Sequence, residues 1–205
     1  MAMQVNATRM ELLKLKKRLN LAVRGHKLLK QKQDELLRVI QEIARKLSDM
    51  RKEVEEELLK ALKGFFLARA YQDKISFEAS FLLLDTDIDL SMTWKKVMNV
   101  PLPEYKKTFK GELISYGFAN TSPALDEALK NLMDVFDRLL LLAEMEKSIA
   151  LLAEEMDRTR RRVNALEYIL IPELKGAVRY INMKLAERER ETNSRLMRIK
   201  DVIRG

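Results

Sequence analysis

The 205 residues include no cysteine, one histidine, six glycines and four prolines, with 47% hydrophobic and 34% charged side chains. That composition excludes disulfide and thiol chemistry, leaves little for a metal site or a nucleophilic triad, and favours long helices because chain punctuation is scarce. No apolar run approaches the roughly 20 residues that cross a bilayer, and the start MAMQVNATRM lacks an apolar signal core, so a cytoplasmic chain that does not itself span a membrane is expected.

The net charge of +8 is unevenly placed. Residues 1–40 carry ten Lys or Arg (Arg9, Lys14, Lys16, Lys17, Arg18, Arg24, Lys27, Lys30, Lys32 and Arg38) against three acids. A second basic knot is Arg158, Arg160, Arg161 and Arg162. Such patches suit an anionic partner (nucleic acid, lipid headgroups or an acidic protein surface), and they equally suit the solvated outer face of a coiled coil.

Thr8 followed by Glu11 three residues later is a capping-box start for a first helix. No proline follows until Pro101, so the helix is expected over about 8–71, roughly 80–90 Å at 1.5 Å per residue. One seam runs through it: Leu12, Leu15, Leu19, Ala22, His26, Leu29, Gln33, Leu36, Ile40, Ile43, Leu47, Met50 and Val54. The steps alternate three and four, the a/d pattern of a left-handed coiled coil, and eleven of the thirteen positions are apolar. His26 and Gln33 read as polar residues that set register; a lone histidine makes a poor metal site. Near Glu57 the seam is expected to fail, with Gly64, Phe65 and Phe66 starting a differently packed end.

Residues 72–121 change character. Ile75–Leu84 is an apolar patch without a heptad, which fits a short helix. Ile88, Leu90, Met92 and Trp94 alternate with Asp87, Asp89, Ser91 and Thr93, the period of a half-buried strand. Pro101 and Pro103 are expected to break it, and Glu112–Tyr116 is the candidate second strand of a hairpin. An isolated hairpin is marginal in water, so this one should lean on the helices or on a partner.

The last helix is expected over about 122–203, with Ser122 as N-cap and Pro123 as its first residue. Its seam is Leu129, Leu132, Phe136 and Leu139, then Leu142, Met145, Ile149, Leu152, Met156, Thr159, Val163, Leu166 and Leu170 after a small shift. The spacing becomes four, four, four (Leu166, Leu170, Leu174, Val178) around Pro172, a stutter. Periodicity fades beyond Arg188, although Leu196, Ile199 and Ile203 could bury a face. The fold expected is mainly α. The N- and C-terminal helices form a long antiparallel two-helix coiled coil, with a small mixed segment (short helix plus β-hairpin) at the far end. All of it makes a single elongated domain over 1–205. No phosphate-binding glycine loop is present, no concave site is implied, and neither catalytic residues, a metal nor a cofactor are expected.

Two stretches carry a family resemblance. Asn6–Leu36, with Thr8-Arg9 and the string R-G-H-K-L-L-K, and Thr159–Ile181, with R-R-V-N-A-L-E, resemble the two signature stretches of the D subunits of the A-type/V-type ATPases and ATP synthases. Y-G-F-A-N-T-S followed by P-A-L-D-E-A is similar to the family where the last helix begins. Ala7 departs from the proline expected before Thr8-Arg9. The resemblance implies a non-catalytic rotor shaft, peripheral to the membrane, that turns inside a ring of catalytic A and B subunits. Its coupling of ATP hydrolysis or synthesis to proton or sodium transport is implied with it. The F subunit of the stalk and a stalk subunit linking the shaft to the membrane ring are the further partners. The basic residues Arg9, Lys14, Lys16, Lys17, Arg18, Arg195, Arg198 and Lys200 are then expected to face acidic groups on the ring's inner wall. Arg161 and Arg162 are candidate ring contacts in the family string, and Ile88, Leu90, Met92 and Trp94 a candidate contact for the F subunit. The chief alternative is a basic coiled coil that binds nucleic acid, but the heptad seam runs straight through the basic start, whereas a DNA-reading helix lies outside its zipper.

Overall fold

A computed structural model of the chain describes residues 6–82, 87–111 and 122–204. The elements in order are α1 (Arg9–Tyr71), α2 (Lys74–Leu82), β1 (Asp87–Val97), β2 (Val100–Lys110), α3 (Pro123–Asn164), a π-helical turn (Ala165–Leu170) and α4 (Ile171–Arg204). They group into two compact units, one of residues up to Glu35 with those from Met156 onward, the other of Leu36–Glu155.

Both helices start where expected, the first with only half of the capping box, since the Thr8 N–H donates to the Asn6 carbonyl at 2.9 Å. Thr8 Oγ1 accepts from the Glu11 backbone N–H at 3.2 Å and the Thr8 carbonyl from Leu12 at 3.1 Å. The Glu11 carboxylate lies 3.9 Å from Lys14 Nζ. Ser122 Oγ accepts from the Ala124 N–H at 3.3 Å, satisfying a donor that the first helical turn leaves free.

In the first unit the start of α1 packs antiparallel on α4. Leu15, Ala22, Leu174 and Ile181 are buried together, flanked by Leu12, Leu19, Leu166, Ile171, Ala177, Val178 and Leu185. Arg9 donates to Glu189 at 2.8 Å, and Arg188 donates to the Ala7 carbonyl at 2.9 Å, which ties the chain entering α1 to α4. Beyond Leu185 every described residue of α4 is exposed, so Leu196, Ile199 and Ile203 bury no face.

The stutter expected at Pro172 takes another form. The Ile171 N–H donates to the Leu166 carbonyl five residues back, the bond of a π turn. Pro172 has no N–H to continue the ordinary ladder past this point. The wide turn inserts one residue, so Ile171 reaches the seam and Leu170 faces out. Thr159 is fully buried in the seam, and its hydroxyl finds no hydrogen-bond partner. A buried polar group without a partner costs free energy, so Thr159→Val, which keeps the shape, should raise stability by about 1 kcal/mol in urea unfolding.

In the second unit α1 and α3 are again antiparallel. Val54, Ala61 and Val135 form one buried cluster with Met50, Leu58, Leu139 and Leu142, and Ala68, Leu125 and Leu129 form another with Phe65, Phe77 and Ala124. The α1 seam therefore does not fail near Glu57. It continues in strict three–four steps through Glu57, Ala61, Gly64 and Ala68. The change is from large to small residues, which lets the helices approach closely: a Cβ on Gly64 would lie 3.1 Å from the Ala128 Cβ. On the first turns of α3 the buried positions are Leu125, Ala128, Leu129 and Val135, while the expected seam residues Leu132, Phe136 and Leu139 are half-buried, so the most buried line passes through Val135 rather than Phe136. Arg138 pairs with Glu57, and Arg51 lies 3.6 Å from Glu146; these exposed pairs add register more than stability.

The short helix exists as α2, with Phe77 edge-on to Phe81 at 5.0 Å between ring centroids. The hairpin differs from expectation. Its second strand is β2, which contains both Pro101 and Pro103, while Glu112–Tyr116 lies outside the described residues. The two-residue turn Met98-Asn99 has positive φ at both positions (52° and 69°), the mirror-image turn that matches strand twist. Val97 pairs with Val100 to close it. Bonded and non-bonded pairs alternate from there, so positions 101, 103 and 105 direct their backbone nitrogens away from β1. Prolines at 101 and 103 thus remove no ladder bond. The outward Tyr105 N–H donates to Glu144 of α3 at 3.4 Å, and Lys107 pairs with Asp137. β2 is the strand that leans on α3. β1 is exposed along its length apart from half-buried Val97, not half-buried throughout.

Candidate partner-binding surfaces

All ten basic residues expected to meet the ring are exposed. Arg9 is already paired with Glu189. Lys14, Lys16, Lys17 and Arg18 lie on the first turns of α1, next to that pair. Arg195, Arg198 and Lys200 sit on the part of α4 beyond Glu189, past the start of α1. Arg161 and Arg162 do not join them: 27 residues before Glu189, they lie about 40 Å away along the helix axis at 1.5 Å per residue.

Alternating with the basic residues of α4 is an apolar strip. Leu196, Ile199 and Ile203 fall at steps of three and four, and Met197 and Val202 flank them, all at least half exposed. A strip of this spacing on a charged helix suits a partner wall that is apolar and acidic together.

The two signature stretches, packed together through the cluster of Leu15 and Ile181, also meet in a polar side-chain contact that spacing does not predict. His26 Nε2 lies 3.3 Å from Glu167 Oε2, across the helix pair at the π turn. The pair is an ion pair when the imidazole is protonated and a hydrogen bond in the tautomer that carries the proton on Nε2. The signal was present, since both residues lie in the family strings, but spacing alone could not join positions so far apart in sequence. Next to it, Tyr168 and Ile169 project into solvent from the π turn. Gly25, the neighbour of His26, has no atom within 4 Å of where a Cβ would stand. Its helix-interior position therefore gains nothing from being glycine within this chain, and Gly25→Ala should add about 0.5–1 kcal/mol, read as a higher urea midpoint.

On the hairpin, Ile88, Leu90, Met92 and Trp94 are 37%, 54%, 49% and 55% exposed. They share a face with their β2 partners Phe109, Lys107, Tyr105 and Pro103. Among the described residues no group of three His, Cys, Asp or Glu could hold a metal ion, and no helix is long and apolar enough to cross a membrane.

Comparison with known proteins identifies relatives of the chain. Residues 11–201 match the family of ATP synthase D subunits. The V-type ATP synthase D subunit of Acetivibrio thermocellus is 47% identical over 98% of this chain and 92% of its own length. Those of Clostridium novyi and a Thermoanaerobacter species are each 45% identical, over 98% and 97% of this chain and 95% and 96% of their own. A match over nearly the full length, on two long packed helices with a hairpin between them, places the chain in the ATP synthase D-subunit family.

Proposed function

We propose that the chain is the central-stalk rotor of a V-type or A-type ATPase or ATP synthase. It couples ATP hydrolysis or synthesis in a ring of catalytic A and B subunits to proton or sodium transport, and does no chemistry itself. The observation that carries this reading is the family match from residue 11 to 201, which covers all but the first two residues of α1 and the last three of α4.

The packing supports the role. Torque passes along a helix pair only if the helices neither slide nor roll on each other. Interdigitated side chains and cross-helix pairs such as Arg9–Glu189 and Arg138–Glu57 oppose both motions. A single asymmetric shaft inside a three-fold ring contacts the three catalytic interfaces differently. Each angular position then favours one set of interface conformations, and that difference in binding free energy is the coupling.

In this reading the basic and apolar end of α4, with the first turns of α1, engages the inner wall of the ring. The residues are Arg9, Lys14, Lys16, Lys17, Arg18, Arg195, Arg198 and Lys200, with Leu196, Ile199 and Ile203. Arg161 and Arg162 contact the ring lower on the shaft. Ile88, Leu90, Met92 and Trp94 contact the F subunit of the stalk, and a further stalk subunit links the shaft to the membrane ring. The assembly is peripheral to the cytoplasmic side of the membrane, and this chain spans none of it.

Native mass spectrometry of the chain with the A and B subunits of its own organism tests the reading. One copy bound per closed ring, with a changed ATPase rate, is the expected result. Absence of a complex at low salt, with the ring well formed, overturns it. Ile199→Asp should weaken ring binding at least about tenfold, by placing a charge in an apolar contact, while leaving the melting temperature of the isolated chain unchanged.

A further inference from the structure

The two edges of the hairpin are treated very differently. The outward nitrogens of β2 are proline at 101 and 103 and are engaged by Glu144 at 105. On β1 the positions that direct their N–H and C=O groups away from β2 are 88, 90, 92, 94 and 96. They are Ile, Leu, Met, Trp and, at the turn end, Lys, with no proline and no bulge over an eleven-residue strand. The sheet has two strands, so among the described residues this edge is unpaired. Such an edge is a template for another strand.

The sequence of β1 says which strand fits. Laid antiparallel on a second copy of itself about Ser91, it places Asp87 opposite Lys95, Ile88 opposite Trp94, Asp89 opposite Thr93 and Leu90 opposite Met92. Every apolar residue meets an apolar one, and the acid at one end meets a base at the other. The backbone agrees, because of the residues whose polar groups point outward, 88, 90, 92 and 94 are paired with one another in this register. Shifting one copy by two residues is worse in either direction: about Met92, Ile88 faces Lys96 and Asp87 faces Val97, and about Leu90 the apolar residues still meet but Asp87 faces Thr93 and loses Lys95.

We infer that β1 is a self-complementary edge at which two copies of the unassembled chain pair antiparallel about Ser91, forming a four-stranded sheet. The pairing is two-fold symmetric and closed, so it stops at a dimer rather than propagating. It covers the apolar side chains of β1 until an assembly partner takes the strand or the neighbouring surface. The inference does not depend on the rotor reading, since it concerns the chain alone.

Because the chain has no cysteine, single substitutions report the register directly. In a non-bonded antiparallel pair the Cα atoms are about 4.5 Å apart, within disulfide reach. Ser91→Cys should therefore give a covalent dimer of the full-length chain under mild oxidation. Thr93→Cys, on the same face but about 13 Å from its own copy at about 3.3 Å per residue, should not. Mixing Asp89→Cys with Thr93→Cys should restore cross-linking between the two variants. Leu90→Pro removes only an outward N–H, as the prolines of β2 do, and should leave a monomer by light scattering with its hairpin intact. Equal cross-linking at 91 and 93 would mean unspecific collision and overturn the register. No cross-link at 91, or a Leu90→Pro chain as dimeric as the parent, would overturn the pairing. Protection of position 91 only when another stalk subunit is added would assign the edge to that partner instead and equally overturn it.

Discussion

Ile181→Ala is expected to lower the unfolding free energy by about 3 kcal/mol. Ile181 is fully buried, on the face of α4 that packs against Leu15 and Ala22 of α1. Removing three carbons forfeits about 2.4 kcal/mol of transfer free energy at about 0.8 kcal/mol per methylene. A cavity term adds to this, but a seam one residue deep is open at its sides, so water or a small shift of the helices fills part of the space. The transfer term wins, and the total falls in the lower half of the roughly 2–5 kcal/mol range for such truncations. Val202→Ala, at a residue 82% exposed on the same helix, is the control and should change stability by less than about 0.5 kcal/mol. Equal urea midpoints for the two variants would show that α4 does not pack through this face.

Gly64→Leu should be comparably damaging for the opposite reason. The seam there is Ala61, Gly64 and Ala68 against Leu125 and Ala128, and the three alanines are at most 1% exposed. The Cβ alone would already stand 3.1 Å from the Ala128 Cβ, so the three carbons beyond it have no room. The helices must part, which loses contacts on both sides of the site; overpacking of this kind costs about 3 kcal/mol. Gly64→Ala separates packing from helix propensity. Alanine gains about 1 kcal/mol over glycine in a helix interior, and the tight contact with Ala128 takes a similar amount back, so the net change is close to zero. The same exchange at Gly25, where nothing opposes the new methyl, should show the propensity gain alone. The contrast between the two alanine variants in one thermal-unfolding series measures how closely α1 and α3 approach.

These two sites also show what the sequence could and could not disclose. The upper seam was legible because Leu, Ile and Met mark a three–four period by their size. All thirteen of its positions from Leu12 to Val54 are buried or half-buried. Past Val54 the same period continues in Glu57, Ala61, Gly64 and Ala68, and small residues give no hydrophobic signal although they pack most tightly of all. On α3 the reading slipped at Val135 and Phe136, both at least half-buried, because this helix packs on more than one neighbour and carries apolar residues on more than one face. β2 was hidden by its prolines. They argue against a strand in general and are harmless at two alternate outward positions of an edge, a distinction that needs the register. The π turn was half legible: the slip near Pro172 was present in the spacing, but whether Leu170 or Ile171 enters the seam depends on how the helix absorbs the missing N–H.

The candidate site was legible to a different degree. Charge and family strings picked out exposed residues, because a solvated face and a binding face look alike in composition. The strings did not reveal that His26 and Glu167 touch. Nor did they reveal that Arg161 and Arg162 stand well apart from the basic residues at the helix ends.

Rotation itself is the most direct measurement. With the catalytic ring fixed to a surface and a bead attached through Glu78→Cys, an exposed position on α2 in a chain without other cysteines, ATP should drive the bead in one direction. Turning that stops when ATP is withdrawn is the result expected of a rotor. A ring that hydrolyses ATP with this chain bound while the bead stays still would contradict the account.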